Sequence, residues 1–433
     1  MGLQFFPRGG SAQVARNLAH SLPGTGWETT ILSGSITHDD TFGDAAHFYR
    51  GLDVRPVDMT RALHARDPMA ADPPLHPSYE DRLDAPDRCF AMLDDDETEH
   101  QVVAWAKALQ SAGAAHADVL HLHHLTPLYE AARRVAPDVP VVGHLHGTEL
   151  LMLEAIDHDP YRWAHGEAWA ERMRGWAEQA HRLIVLTETA CDRAATVLGI
   201  DPRRCATVPN GFDPERFGPR AVDRVAVHRK LGVEIEDDTP VLLYVGRFTE
   251  VKRIPLLIEA YERARPGFSR RAPLVIVGGF PNEFEGEHPD DAIARTGARD
   301  VHLTGWHDHS ELPDILNASD ALVLSSVREQ FGQVIVEAMA CGLPAIAVDA
   351  YGPAEIVDHG ETGWLVEPDD ISSLANALVE AVNRPGERRR RGANAARRAH
   401  DHYAWPSLAR RVAEIYDDAV DATSLRENAA LSG

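Results

Sequence analysis

The chain has 433 residues, 44% hydrophobic and 25% charged, with a formal net charge of −24, a size that calls for two domains rather than one core. The acidic balance argues against nucleic acid or an anionic lipid surface as partner, and no run of eighteen apolar residues marks a membrane span. MGLQFFPRGG lacks the order of a secretory signal, and Cys89, Cys191, Cys205 and Cys341 are too scattered for a disulfide frame or zinc site, so a cytoplasmic protein with reduced thiols is expected.

FFPRGGSAQVARNLA (5–19) opens an amphipathic helix on two glycines, Gly9 and Gly10, which lets the backbone approach an anion; alone it is weaker than a full G-x-G-x-x-G. Strands are predicted at 27–34 and 51–59. An acidic, Pro-rich segment, 64–100, then interrupts the pattern as an excursion from the first domain. It ends in LDDDETEH (93–100), whose Asp-x-Asp reads as a solvated run rather than a metal motif.

Strands at 117–125 and 140–147 end in HLHHL (121–125) and HLHGTEL (144–150). His121 and His123 share a strand face, but zinc needs three or four ligands with an assigned second shell, and no metal site is expected. Two readings stay open: satisfied strand-end histidines, or an active-site role for His146. Further strands are predicted at 181–188 and 205–211. Gly and Pro cluster at NGFDPERFGPR (210–220), where a domain boundary is expected.

The second half repeats the alternation, with strands at 240–248, 272–280, 299–306, 320–326, 344–349 and 363–366. Strand–helix alternation implies parallel sheets covered on both faces, twice over. The predicted fold is α/β: two Rossmann-like doubly wound domains facing across a deep cleft. The first spans 1–212 and is joined by a C-terminal helix, 403–433; the second spans 213–402.

In YVGRFTEVKRIPLLIEAY (244–261), a β-run ends at Gly246, and Arg247 and Lys252 follow before a helix. Two cations beside a helix N-terminus suit a diphosphate; pairing of both with Glu250 is the plainer alternative. Lys252 is one of only three lysines, with Lys107 and Lys230. SSVREQFGQVIVEAMACG (325–342) places Glu329 on a loop and Glu337 more than one turn inside a helix starting near Gly332. Such carboxylates address different parts of one long ligand, as acceptors for sugar hydroxyls, while Gly332 admits the ligand to the N–H groups of Gln333 and Val334. A capping Glu and a satisfied buried Glu would look the same. RPGERRRRGANAARR (384–398) reads as a solvated helix face.

In this order the stretches resemble the retaining glycosyltransferase family 4, with its GT-B fold. The resemblance is carried by RGGSAQVARNLA, HLHGTE, VPNGFDPERF, VGRFTEVKRI, IVGG, LTGW, SSVREQFGQVIVEAMACGLPAIA and GPAEIVDHGETGWLVEPDD. It implies that Arg247 and Lys252 neutralise the donor diphosphate, that Glu329 contacts the donor sugar and that Glu337 bonds the ribose. The Phe331–Gly332 turn would set amides at the phosphates, His146 would lie near the reacting sugar, and Gly9 and Gly10 would form the loop that closes over the phosphates. Only MGLQFF precedes that loop, so the first strand is short or the natural start lies upstream.

The implied reaction is metal-independent transfer of a sugar, with retention, from a UDP or GDP donor to a small soluble acceptor, with no further cofactor. Strong membrane association is not expected, and a homodimer is the quaternary state to test. A sugar-nucleotide epimerase or a phosphorylase on the same fold, or a catalytically silent binding partner, are the alternatives.

Overall fold

The computed structural model describes residues 1–7, 9–37, 43–80, 85–279 and 284–431. Arg8 of the glycine loop, and 81–84 of the 64–100 excursion, lie outside them. The chain divides into two compact units, Met1–Pro209 with Pro406–Gly433, and Asn210–Trp405.

The first unit holds β1 (Gly2–Leu3), β2 (Thr30–Ser35), β3 (Asp53–Asp58), β4 (Leu120–His123), β5 (Val141–His144), β6 (Arg182–Val185) and β7 (Cys205–Thr207). Their order is β3-β2-β1-β4-β5-β6-β7, and every pairing is parallel. The second holds β8 (Leu242–Val245), β9 (Leu274–Val277), β10 (Val301–Gly305), β11 (Ala321–Leu324), β12 (Ala345–Val348) and β13 (Gly363–Val366), ordered β10-β9-β8-β11-β12-β13. Each sheet therefore reverses direction once, between β1 and β4 and between β8 and β11. Ligands of open α/β sheets bind at such switch points, beyond the strands' carboxyl ends.

Strands β2 to β13 coincide with the twelve predicted runs. The central ones are buried on both faces, as in Leu274–Val277 and Ala321–Leu324, which is why they read as unbroken apolar runs rather than alternation. Strand β3 is the exception, largely exposed and containing Pro56; it lies at the sheet edge, where a missing N–H breaks no ladder. Strand β1 is two residues long yet central, pairing Gly2 with both Leu32 and Leu122.

Two predicted solvated runs have more order than expected. Asp94 caps the helix Asp95–Ser111 and Glu97 closes a capping box, so the Asp-x-Asp sits in a helix start, where negative charge meets the positive end of the dipole. In the helix Pro385–His402, Arg388 pairs with Asp320 at 2.9 Å. Arg391 is buried, 4.1 Å from the centre of the Trp364 ring, and donates to the Gly363 carbonyl. A helical period of 3.6 brings both guanidinia to the inner face.

Candidate active site

In the second unit the loops after β8 and β11, the two strands flanking the switch point, carry the predicted donor residues. Tyr244, buried on β8, donates its hydroxyl to the Arg247 carbonyl at 3.2 Å; burial, and then the Glu329 carboxylate, push its phenol far up. Beyond it Arg247 is exposed, and among the described residues its guanidinium has no hydrogen bond or ion pair. The next turn, Glu250–Lys252, is pinned from β11's exit: Ser325 Oγ donates to the Lys252 carbonyl at 2.8 Å and Ser326 Oγ to that of Val251 at 3.2 Å. Lys252 Nζ pairs directly with Glu329, not with Glu250.

Glu329 is held through its backbone, which accepts the Gly352 N–H at 3.1 Å. A Cβ on Gly352 would lie 2.2 Å from the Phe331 carbonyl oxygen, so the close approach requires glycine. Phe331 is buried, its ring 6.2 Å from that of Tyr403; it anchors the turn. Gly332 has φ +105, in the left-handed region, and N-caps the helix Gln333–Ala340 with no side-chain cap. As first residues of that helix, Gln333 and Val334 direct N–H groups with no intrahelical acceptor out of its N-terminus.

Glu337 is buried. Its Oε1 accepts from Gln333 Nε2 at 3.1 Å and lies 3.0 Å from His309 Nε2. Gln333 Nε2 also donates to the Gly211 carbonyl at 2.8 Å. Both partners of Glu337 meet the same carboxylate oxygen. Arg247, Lys252, Glu329, Gly332 and Glu337 thus all lie on β8's and β11's exits or the helix that follows.

In the first unit Gly9 N-caps the helix Gly10–Ser21 with φ −124, and no described residue lies within 4 Å of a Cβ placed on Gly9 or Gly10. The described residues therefore do not demand glycine at either position.

The histidines form a connected group. Parallel register sets His123 opposite His144, and His146 follows two residues on. His121 Nδ1 bonds the Tyr416 hydroxyl, His121 Nε2 lies 3.2 Å from His144 Nδ1, and His123 Nδ1 lies 3.0 Å from His146 Nε2. Nitrogens of His121, His123 and His144 fall within 4.8 Å of one another; hydrogen bonds engage both nitrogens of His121 and the Nδ1 of His123 and of His144, whereas Nε2 of His123 and of His144 meet no partner among the described residues. Burial, reinforced by neighbouring imidazoles, pushes His121, His123 and His146 well below the usual range and His144 to about 3. Beside them, fully buried Glu149 lies 2.6 Å from His124 Nδ1 and accepts the His146 N–H at 3.2 Å. His124 has φ 64, unusual outside glycine.

Sequence reasoning missed Ser325, Ser326, His309, His124 and Glu149 as supports. Both serines lie in the stretch that drew attention to Glu329, and Glu149 follows His146 by three positions, so proximity was the available signal. His309 carried none.

Solved structures share this architecture. Sucrose-phosphate synthase from Thermosynechococcus elongatus superposes with a TM-score of 0.71 at 20% identity, covering 97% of this chain and 98% of that one. HepE from Anabaena, in complex with UDP, gives 0.70 at 20% identity, covering 96% and 98%. Two parallel α/β sheets of this topology define the GT-B fold. The model for Glycosyltransferase Family 4 matches residues 8–216 and that for Glycosyl transferases group 1 matches 230–398. The D-inositol 3-phosphate glycosyltransferase of Kineococcus radiotolerans is 30% identical over 75% of this chain and 78% of its own. The chain belongs to glycosyltransferase family 4. Among the described residues no helix is long and apolar enough to cross a membrane.

Proposed function

We propose that the protein is a retaining, metal-independent glycosyltransferase that moves a sugar from a nucleoside diphosphate sugar to a small soluble acceptor. The observation that carries this reading is the Lys252–Glu329 contact at the second sheet's switch point, beside the uncapped N-terminus at Gly332. Breaking a glycosyl–phosphate bond leaves negative charge on the departing diphosphate. Arg247, Lys252 and the amides of Gln333 and Val334 are the groups to stabilise it, which acts on the transition state. Glu329 takes sugar hydroxyls and Glu337 the ribose. His146 is the first unit's residue that acts on the sugar, and the glycine loop at Gly9–Gly10 closes on phosphate. The acceptor attacks from the leaving-group face and the departing phosphate takes its proton, so no covalent nucleophile or added cofactor enters.

UDP is the first donor base to test, with GDP second, since HepE shares the fold and was solved with UDP. A relative named for D-inositol 3-phosphate supports a small polyol, phosphorylated or not, as acceptor class, with a role in bacterial secondary metabolism or thiol or aminocyclitol biosynthesis. The test is a thermal-shift panel of nucleotide sugars, since a bound donor raises the Tm, followed by product analysis with candidate acceptors. An α-configured product from an α-linked donor supports the reading. Conversion of the nucleotide sugar without any acceptor would point to an epimerase, and binding without turnover to a silent partner.

A further inference from the structure

His146 is partly exposed, and its Nε2 is committed to His123 Nδ1 at 3.0 Å, with the rings 20° from parallel. His123 is 0% exposed, and its other nitrogen, Nε2, has no hydrogen-bond partner among the described residues. A neutral imidazole has one proton for two nitrogens. On Nε2 of His123 that proton would be a buried donor with no acceptor; on Nδ1 only a lone pair goes unmet. Orphaned buried donors are the rarer and costlier of the two.

We infer that His123 donates its Nδ1–H to Nε2 of His146, and is therefore a positioning residue that locks His146 into the tautomer protonated at Nδ1. That nitrogen makes no hydrogen bond to any described residue. His146 then offers its ligand an N–H donor, fit for a sugar hydroxyl or phosphoryl oxygen, and has no free ring lone pair to act as a base. Burial and the adjoining imidazoles of His124 and His144 also oppose a second proton on its ring. The catalytic consequence rests on the role proposed for His146; the tautomer does not.

Long-range proton–nitrogen NMR of the full-length protein, labelled with 15N-histidine, reads the tautomer directly, with His146 assigned from the signals lost in H146Q. The expected result at pH 7.5 is a protonated, pyrrole-like Nδ1 and a pyridine-like Nε2; the reverse pattern overturns the inference. Two variants test the positioning. His123→Asn puts an amide N–H where Nδ1–H stood, and His123→Leu removes it. The leucine variant should lower kcat about tenfold, the scale of one lost hydrogen bond, with donor KM nearly unchanged, and the asparagine variant should recover most of that loss. Equal kcat in the two variants overturns the positioning role. If H146Q keeps full transfer activity while the tautomer is as expected, the catalytic role of His146 falls and the tautomer stands.

Discussion

Lys252 and Glu329, 77 residues apart in the chain, are ion-paired across the second sheet's switch point. The ammonium assigned to the donor diphosphate is thus held by the carboxylate assigned to the donor sugar, and an incoming diphosphate must share it. Glu329→Ala should therefore separate the two functions. Calorimetry is expected to show UDP bound a few-fold more tightly, while sugar transfer is lost. Weaker UDP binding in this variant would mean that the pair orients Lys252 instead of competing for it.

Arg247 has no partner to lose among the described residues. Arg247→Ala should leave stability within about 0.5 kcal/mol of wild type, as surface changes do. Turnover should nevertheless fall by roughly 10²–10³, the scale of a missing oxyanion donor. A chemical melt and a kcat measurement on the same preparation check both halves, and a near wild-type kcat removes Arg247 from the site.

Gly332→Ala places a side chain at φ +105, with its Cβ 3.0 Å from Ile335 Cδ1. The left-handed backbone alone costs about 1–2 kcal/mol, so the urea midpoint should drop by a corresponding amount. UDP affinity should fall with it, because the helix start carries the amides proposed to meet the phosphates.

The buried imidazoles make stability depend on pH. In the unfolded chain they titrate near 6.5, whereas the native state holds His121, His123 and His146 well below that and His144 at about 3. Below about 6.5 the unfolded state binds protons that the native state refuses, so their contribution is complete above that pH and declines as pH falls. Each contributes about 1.4 kcal/mol per pH unit in that window. Urea unfolding at pH 7.5 and 5.5 should show a clear loss at the lower value; identical curves would contradict native-state neutrality.

In the proposed mechanism Arg247, Lys252 and the helix amides supply the charge that a metal would otherwise bring, and Asp94 is already occupied in capping a helix. Activity should survive EDTA unchanged. Loss on chelation with recovery on manganese would return the Asp-x-Asp to consideration.

Much of this was legible in the residues. Buried parallel strands must be apolar on both faces and bounded by turn formers, so twelve of the thirteen strands among the described residues could be read directly, and even the exposed 51–59 run carried its Pro. Strand β1 was harder, because two residues make no periodic pattern; its central place comes from pairing on both sides. The candidate positions Arg247, Lys252, Glu329 and Glu337 could be named because each lies in a short local stretch whose spacing is itself the signal.

What each of those side chains touches was decided only by the tertiary structure. Glu250 was the near neighbour in sequence, but Lys252 turned to Glu329 because the sheet order sets β8 beside β11 and brings their exits together. Glu337 found His309 from another loop, and the four histidines joined because register aligns β4 with β5. Local sequence determines which element a residue builds and which face it occupies. Its partner depends on strand order and register, and these are set by the packing of the whole sheet.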